Sequence, residues 1–258
     1  MQPASPPVVG PADNPHVWPD KAARVRRMFA SVAESYDFLN HLHSAAIDHW
    51  WRSLTVRLSA VPRGGRVLDV CCGTGDLTLA YAAGAPQAAR IVGSDFCHEM
   101  LVRGCDKAVG RADSRGGRVR FVEADALRLP FPDGRFDVVS CAFGLRHVAD
   151  PDAALAEWFR VLAPGGRLVI LEFTLPPNPV IRALYQFYFR TVMPLTATIL
   201  SGDRTGAYRY LPDSVAAWRS PGDLADRMRA VGFAEVTHTL LTFGIAAIHI
   251  GCRPGDPA

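Results

Sequence analysis

A short apolar run that ends in a glycine turn, with an acid some distance after it, constrains this chain most. Residues 67–78 read VLDVCCGTGDLT, and Asp95 follows Gly75 by twenty residues, at the end of IVGSD. The run over residues 66–71 predicts a strand that is buried on both faces. Gly73 and Gly75 accept backbone conformations that residues with a Cβ resist, and they let a ligand approach the main chain. The pattern therefore predicts a strand, a ligand-binding turn, a helix and a carboxylate at the tip of the next strand.

The residues of the turn favour one nucleotide-like cofactor over another. A carboxylate at Asp95 suits the paired hydroxyls of a ribose, as it also does in nicotinamide and flavin sites. The dinucleotide fingerprint has a third glycine where this chain has Thr78. Asp76, which we predict to cap the helix, would repel a pyrophosphate at the helix start. An adenosyl sulfonium carries no phosphate, so the turn favours S-adenosylmethionine. A plain strand-to-helix turn would explain one glycine, but not two glycines and a distal acid.

Composition narrows the class of protein. The chain has 258 residues and 49% hydrophobic content, enough for a sizeable core in one large or two small domains. A net charge of +3 argues against a nucleic-acid partner. The cysteines show no metal-ligand spacing, so we expect no metal site and reduced thiols, as in the cytoplasm. The first twenty residues lack the basic and apolar segments of a signal peptide. Residues 179–200 are the most apolar stretch, but their two arginines and internal proline argue against a membrane span.

The order of patterns predicts one αβ domain over residues 20–253, between a proline-rich disordered tail (1–19) and a short tail (254–258). Asp20 is expected to cap a helix over residues 21–33, and a turn over 34–44 leads to a second helix over 46–60. Strands then alternate with helices, which predicts a parallel sheet, and the last two strands are predicted to be antiparallel. The predicted strands are 66–71, 90–95, 118–123, 136–142, 167–173, 235–241 and 245–252. The later predicted helices are 76–83, 98–110, 151–162 and 221–231, with an insert at 176–213.

Two further segments, after the third and fourth strands, should meet the glycine turn, because ligands bind beyond the carboxyl ends of parallel strands. Asp125 and Ala126 are placed to meet the adenine, and Phe143 is expected near the transferred group. Arg146 and His147 would face a second substrate. Asp125 is also consistent with a turn residue that bonds its own backbone, although the pattern favours the site role. Arg146 is also consistent with a surface ion pair, and His147 with a histidine at a helix end.

With these segments assembled, the chain closely resembles the ubiquinone/menaquinone biosynthesis C-methyltransferases over residues 26–253. The resemblance is carried by YDFLNHLHSAAIDHWWR (36–52), the glycine turn, FGLRHVAD after the fourth strand, RVLAPGGRLVILEF (160–173), YRYLPDSV (208–215) and LTFGIAAIHIG (241–251). Any one of these stretches is modest evidence. The combination of YDFLN, FGLR and YRYLPDSV is specific to that family.

The resemblance implies a Rossmann-like methyltransferase with a seven-stranded, mostly parallel sheet, an antiparallel last strand, an N-terminal helical cover and an inserted lid. It implies methyl transfer from S-adenosylmethionine to a ring carbon of a polyprenylated quinol, forming menaquinol from demethylmenaquinol. Some members also methylate a benzoquinol, so that second substrate stays open. The implied cofactor-binding residues are Asp69, Gly73, Thr74, Gly75, Asp95, Asp125 and Ala126. The residues expected around the substrate are Tyr36, Phe143, Tyr208 and Tyr210.

One departure from the family bears on catalysis, because His147 stands where the family usually has asparagine. A quinol ring carbon becomes nucleophilic when a hydroxyl loses its proton. We therefore expect Arg146 to stabilise the developing phenolate and His147 to accept the proton, directly or through water. Ala142 stands where many members have serine, which removes one polar contact with the cofactor.

Other readings remain open at this stage. The same fold serves methyltransferases of other lipid or aromatic acceptors, and an adenosyl-binding subunit without activity would act as a scaffold. In the insert, apolar residues recur at helical spacing over 181–188. That pattern predicts either a lid that touches the inner face of the membrane or an ordinary core or dimer-interface helix.

Overall fold

Seven strands form one sheet, as the alternating pattern predicted. The computed structural model describes residues 15, 20–34, 36–44, 46–111, 117–193, 195–196 and 207–255. The strands are β1 (Arg66–Val70), β2 (Arg90–Asp95), β3 (Val119–Glu123), β4 (Phe136–Ala142), β5 (Leu162–Phe173), β6 (Ala234–Leu241) and β7 (Ala246–Cys252). Their order is β3-β2-β1-β4-β5-β7-β6. The first five strands pair in parallel, whereas β7 runs antiparallel to both β5 and β6. The predicted fold class is confirmed.

Helices cover both faces of the sheet in the described part of the chain. They are α1 (Lys21–Val32), α2 (Tyr36–His43), α3 (Ile47–Leu58), α4 (Asp76–Gly84), α5 (His98–Ala108), α6 (Pro151–Val161), α7 (Pro179–Phe187), α8 (Ala207–Ala216) and α9 (Pro221–Val231). A π-helical turn, Tyr188–Val192, continues α7. The turn predicted over residues 34–44 is wrong, because most of it forms α2. That helix has only eight residues, too few for a repeating apolar stripe to show in the sequence.

The central strands are buried because helices pack on both sides of them. Val67 and Leu68 of β1 and Val139 of β4 are fully buried, as a continuous apolar strand between two helical layers must be. Trp158 of α6 packs with β4, β5 and α9 on one face. Tyr81 of α4 packs with α3 and β1 on the other. The polar residues of the candidate site lie outside this core, at the carboxyl ends of the parallel strands.

The helix after the glycine turn packs closely on the sheet without the third glycine of a dinucleotide site. Thr78 occupies that position and is fully buried. The small residue lies on the facing strand instead, since a Cβ added to Gly93 would come within 2.7 Å of Thr78 Oγ1. The helix and the strand therefore still approach closely, but here the small residue, Gly93, lies on the strand and the larger one, Thr78, lies on the helix.

Two predicted helix caps are wrong. Asp20 makes no capping hydrogen bond and instead pairs with Arg24 at 2.8 Å, one helical turn later. Gly75, with a φ of 81°, stands at the cap position of α4, and Asp76 is the first helical residue. The side chain of Asp76 is therefore available for contacts outside its own helix.

The chain termini and part of the insert lie outside the described residues. The predicted tail over 1–19 is described only at Pro15, and residues 112–116, 194, 197–206 and 256–258 are likewise outside. Among the helices that the structure does describe, none combines the length and the apolar character needed to cross a bilayer.

Candidate active site

A cavity of about 280 Å³ opens at the carboxyl ends of the parallel strands. Most of the predicted site residues line it, namely Tyr36, Asp69, Gly73, Thr74, Asp95, Asp125, Ala126, Phe143, Arg146 and His147. Gly75 does not line the cavity, because the position of its missing Cβ lies 2.7 Å from the Phe121 ring. Tyr210 packs behind the cavity wall, and the side chain of Tyr208 lies outside the described residues. One cavity therefore joins the glycine turn to the loop after β4.

Asp95 holds the glycine turn from the tip of β2. One carboxylate oxygen accepts the amide of Gly73 at 2.8 Å, and the other accepts the amide of Cys97 at 2.9 Å. Burial raises the pKa of Asp95 to about 6. Each oxygen keeps a lone pair for a further donor, so the carboxylate can receive two hydroxyl groups. Gly73 has a φ of 55°, and nothing lies within 4 Å of the position its Cβ would take. The turn thus leaves room for a ligand against the main chain.

Asp69 is a second buried carboxyl at this end of the cavity. Its Oδ2 accepts a hydrogen bond of 2.6 Å from the Thr78 hydroxyl. Burial raises the pKa of Asp69 to about 7, although the hydrogen bond from Thr78 and the positive charge of Arg52 oppose that effect. The contact with Thr78 explains why a hydroxyl residue suits the position of the missing third glycine.

A network of charges from the N-terminal helices covers the glycine turn. The Thr74 hydroxyl donates to Asp37 of α2 at 2.5 Å, and Lys107 contacts Asp37 at 2.8 Å and Thr74 at 3.1 Å. Lys107 also pairs with Asp76, which Arg52 of α3 approaches to 3.5 Å. These contacts fix α2 and α3 over the cavity. Sequence reasoning placed Thr74 at a cofactor but did not find Asp37, Lys107 or Arg52.

Asp125 serves the turn after β3 and also faces the cavity. Its Oδ1 accepts the Leu127 amide at 2.9 Å, which is the backbone-bonding role that the sequence left open. The neighbouring Ala126 is buried, and its carbonyl accepts the Trp158 indole at 3.1 Å. Trp158 thereby ties this loop to the core under α6.

Arg146 forms a buried ion pair at the other end of the cavity. Its Nη1 donates to Glu172 at 2.5 Å and to the Phe143 carbonyl at 2.7 Å, and its Nε contacts Ser214 at 3.3 Å. Arg146 and Glu172 are 3% and 1% exposed, so a surface ion pair is excluded. Nη2 makes no hydrogen bond to any described residue, and Arg146 lines the cavity. The guanidinium therefore keeps a donor for a ligand.

His147 is held by aromatic side chains. Its Nδ1 lies 2.9 Å from the Tyr210 hydroxyl, and its ring packs edge-on against Phe29 with centroids 5.1 Å apart. Burial raises the pKa of Tyr210 above its usual value. The phenol consequently keeps its proton near neutral pH and can either donate to Nδ1 or accept from it.

Stacked rings form the wall between the two ends of the cavity. The rings of Phe143 and Phe173 stack with centroids 4.4 Å apart. The centroid of the Trp51 ring lies about 6 Å from each of them. The Arg146 guanidinium lies over Phe173, 5.2 Å from the ring centre. A flat aromatic ligand could contact this wall while meeting a cationic donor at its edge.

Two buried residues at this end of the cavity were not predicted as site residues from the sequence. Glu172, the residue before the last of β5, lies within the strand predicted over residues 167–173. Lys21 lies within the helix predicted over residues 21–33, yet it is 2% exposed and donates to the backbone at Arg146. One signal was present in the sequence, since only two of the 28 basic residues, Lys21 and Lys107, are lysines. Both lysines contact this site.

The order of the strands, the glycine turn and the acid at the tip of β2 define a class I methyltransferase fold. A solved S-adenosylmethionine-dependent methyltransferase from Thermotoga maritima, described as a possible histamine N-methyltransferase, has the same fold. It superposes with a TM-score of 0.61 at 18% identity, over 89% of this chain and 99% of that one.

Sequence comparison gives the family. The profile of the ubiE/COQ5 methyltransferase family matches residues 19–253. A demethylmenaquinone methyltransferase of Thermus thermophilus is 50% identical over 227 residues, 88% of this chain and 100% of the relative. A ubiquinone/menaquinone biosynthesis C-methyltransferase UbiE of Geobacter sulfurreducens is 44% identical over 232 residues, 90% of this chain and 89% of the relative. The chain belongs to the ubiE/COQ5 methyltransferase family.

The raised pKa of Asp69 predicts a pH-dependent cost in stability. Because its pKa is about 7 in the folded protein and ordinary in the unfolded chain, folding favours the protonated form. The stabilisation is present below the unfolded pKa and is lost as the pH rises through 7. Asp69→Asn keeps an acceptor for Thr78 but cannot ionise. We expect its free energy of unfolding, relative to that of the parent, to rise by about 2–4 kcal/mol as the pH goes from 4 to 7. Urea unfolding measures the difference.

The matched control is Asp106→Asn, an exposed aspartate of α5. Its pH curve should run parallel to that of the parent. Parallel curves for Asp69→Asn as well would show that the Asp69 carboxyl ionises normally in the folded protein.

Proposed function

We propose that this protein transfers a methyl group from S-adenosylmethionine to a ring carbon of a polyprenylated quinol, converting demethylmenaquinol to menaquinol. The observation that carries the proposal is a single cavity with two unlike ends. At one end lie the Gly73 turn and Asp95, and at the other lie the Arg146–Glu172 pair and the stacked rings of Phe143 and Phe173. The names and high identity of the relatives support the same reaction.

The cofactor end fits an adenosyl group with two free ribose hydroxyls. The two Asp95 oxygens would receive the hydroxyls, and the open space above Gly73 would admit the ligand against the main chain. Asp76 and Asp95 together disfavour a pyrophosphate, which supports an adenosyl sulfonium over a dinucleotide. S-adenosylmethionine supplies the methyl group as an electrophilic carbon.

Arg146 would act on the acceptor through charge. Deprotonation of a quinol hydroxyl places negative charge on oxygen, and a guanidinium donor in a water-poor cavity stabilises that charge. Glu172 and the Phe143 carbonyl hold Nη1, so Nη2 is the group left to meet the phenolate oxygen. The phenolate in turn raises electron density on the ring carbon, which would take the methyl group as S-adenosylhomocysteine leaves. That carbon would then lose its hydrogen as a proton and the oxygen would regain one, which restores the aromatic quinol.

His147 would accept the hydroxyl proton, which sets a condition on its hydrogen bond with Tyr210. If Nδ1 donates to the Tyr210 oxygen, Nε2 carries the lone pair and can take a proton. If Tyr210 donates instead, Nε2 carries a hydrogen and cannot act as the base. The raised pKa of Tyr210 keeps its hydrogen in place and so permits both arrangements.

We also propose that α7 and the turn between β6 and β7 contact the membrane surface, where a quinol with a long tail resides. Three apolar side chains of α7 at helical spacing point outward, Val180, Leu184 and Phe187, with exposures of 67%, 66% and 63%. Phe243 is also exposed, at 76%, and its neighbour Gly244 packs against Pro177, two residues before α7, since a Cβ added to Gly244 would come within 2.6 Å of the Pro177 ring. Tyr185 and Phe189 of the same segment line the cavity. Exposed apolar side chains thus share a segment with side chains that line the cavity.

The reaction is tested with labelled S-adenosylmethionine and reduced demethylmenaquinone in phospholipid vesicles. We expect label in the naphthoquinol product, because the acceptor end of the cavity is aromatic with one cationic edge. A parallel assay with the demethylated benzoquinol decides whether the second quinol is also a substrate. S-adenosylhomocysteine binding without label in either lipid would overturn the proposal and favour another acceptor or a scaffold.

The same vesicles test the membrane contact through flotation of the double variant Leu184→Glu/Phe187→Glu. We expect loss of vesicle binding and a higher KM for the long-tailed quinol, with a KM for a short-tailed, water-soluble quinol that stays unchanged. Val109→Glu alters an equally exposed apolar residue at the end of α5 and serves as the control. Conversion of a dimer to a monomer by the double variant, with vesicle binding retained, would instead identify α7 as a dimer interface.

The role of His147 is tested by His147→Asn, which inserts the residue usual in the family. If His147 is the base, turnover should fall at least about tenfold and lose its rise with pH below neutrality. Single-turnover rates across pH 5–9 measure both effects. His98→Asn, a change to a largely exposed histidine, is the control. Unchanged turnover and an unchanged pH profile in His147→Asn would rule out His147 as the base.

A further inference from the structure

Lys21 reaches from α1 to the loop that carries Arg146 and His147. Its ammonium donates to the Arg146 carbonyl at 2.9 Å and to the Val148 carbonyl at 2.5 Å. These two carbonyls flank His147 in the chain. The His147 and Val148 amides close the short 3₁₀ turn by bonding Gly144 and Leu145. The turn therefore closes through its amides, while Lys21 binds the carbonyls on both sides of His147.

The rest of α1 follows the same loop. Ala22, Val25 and Phe29 lie on one face of the helix and line the cavity. Phe29 also packs against the His147 ring. Lys21 is therefore the polar anchor of a helix whose apolar face closes the acceptor end of the cavity. A shift of α1 would move both the backbone and the ring contact of His147.

Burying the Lys21 ammonium costs folding free energy, which argues that its hydrogen bonds serve a function. Lys21 is 2% exposed, and burial together with the nearby cations Arg146 and Arg219 lowers its pKa to about 8. Lys21 is one of only two lysines among the 28 basic residues of the chain. An ammonium is a compact donor that can serve two carbonyls at once, whereas guanidinium is a larger planar fork.

We infer that Lys21 is a positioning residue for the methyl-transfer reaction. It fixes the loop so that His147 and the Arg146 guanidinium meet the acceptor, and it acts through those residues without touching the substrate. The catalytic part of this inference rests on the proposed function. The structural part, that Lys21 orders residues 144–150, does not.

The test compares Lys21→Met and Lys21→Gln with the parent. Methionine keeps the length and apolar stem of lysine but has no donor, whereas glutamine keeps an N–H donor on a shorter chain. Arg24→Met, which removes an exposed cation from the next turn of α1, is the control. Three quantities are measured for each protein, namely hydrogen exchange of residues 144–150, the Kd for S-adenosylhomocysteine, and kcat with the reduced demethylmenaquinone.

We expect faster exchange over 144–150 in Lys21→Met, a Kd within about twofold of the parent, and a kcat reduced at least about tenfold, as for loss of a charged hydrogen bond. Lys21→Gln should fall between Lys21→Met and the parent. Unchanged exchange and kcat in Lys21→Met would overturn the inference. So would an equal loss of cofactor affinity and turnover, since that pattern indicates general unfolding.

A complementation experiment separates hydrogen bonding from charge and does not depend on Lys21→Met folding well. Lys21→Ala leaves a cavity, and methylammonium should restore exchange protection and kcat, whereas tetramethylammonium, which has no N–H group, should not. Equal restoration by both cations would contradict a hydrogen-bonding role. If the parent itself does not methylate the quinol, the proposed function fails, and the exchange measurements still decide whether Lys21 orders the loop.

Discussion

The buried ion pair between Arg146 and Glu172 is the interaction on which one end of the cavity depends. It joins the loop after β4 to the tip of β5, and both partners are almost completely buried. Two opposite charges at this depth offset the cost of burial only when their remaining hydrogen-bonding groups are also satisfied. The Phe143 carbonyl and Ser214 supply such partners for Arg146. The pair therefore fixes the guanidinium, while its Nη2 makes no hydrogen bond to any described residue.

The opposite end of the cavity is built from carboxyls that form no ion pair with any described residue. Asp69 and Asp95 are buried at the tips of neighbouring strands, and burial raises the pKa of each. Their contacts are hydroxyl or amide donors and not cations. A carboxylate of this kind is better stabilised when a ligand brings further donors. Under the proposed function, the buried carboxyls of the cofactor end lower the stability of the free protein and favour ligand binding, whereas the ion pair of the acceptor end holds its guanidinium in place before a ligand binds.

The sequence predicted the sheet well because its signals are local. Short apolar runs, glycine turns and alternating periods identified all seven strands to within a few residues, except that β5 begins at Leu162 and not at 167. The glycine turn and Asp95 were found because their spacing along the chain is fixed by the strand–turn–helix geometry. Asp37, Lys107 and Lys21 could not be found in this way. Their partners lie 37, 70 and 125 positions away in the chain, at Thr74, Asp37 and Arg146. Only the packing of the N-terminal helices brings them together.

The central claim is that one cavity binds the methyl donor at one end and activates a quinol at the other through Arg146. Glu172→Gln tests it most directly, because glutamine keeps the shape and one acceptor of Glu172 but removes the charge that holds the guanidinium. Calorimetric titration with S-adenosylhomocysteine and turnover of demethylmenaquinol are measured on the same sample. We predict a Kd within about threefold of the parent and a turnover at least about a hundredfold lower. Turnover close to that of the parent, or a parallel loss of cofactor affinity, would contradict the division of the cavity into two ends.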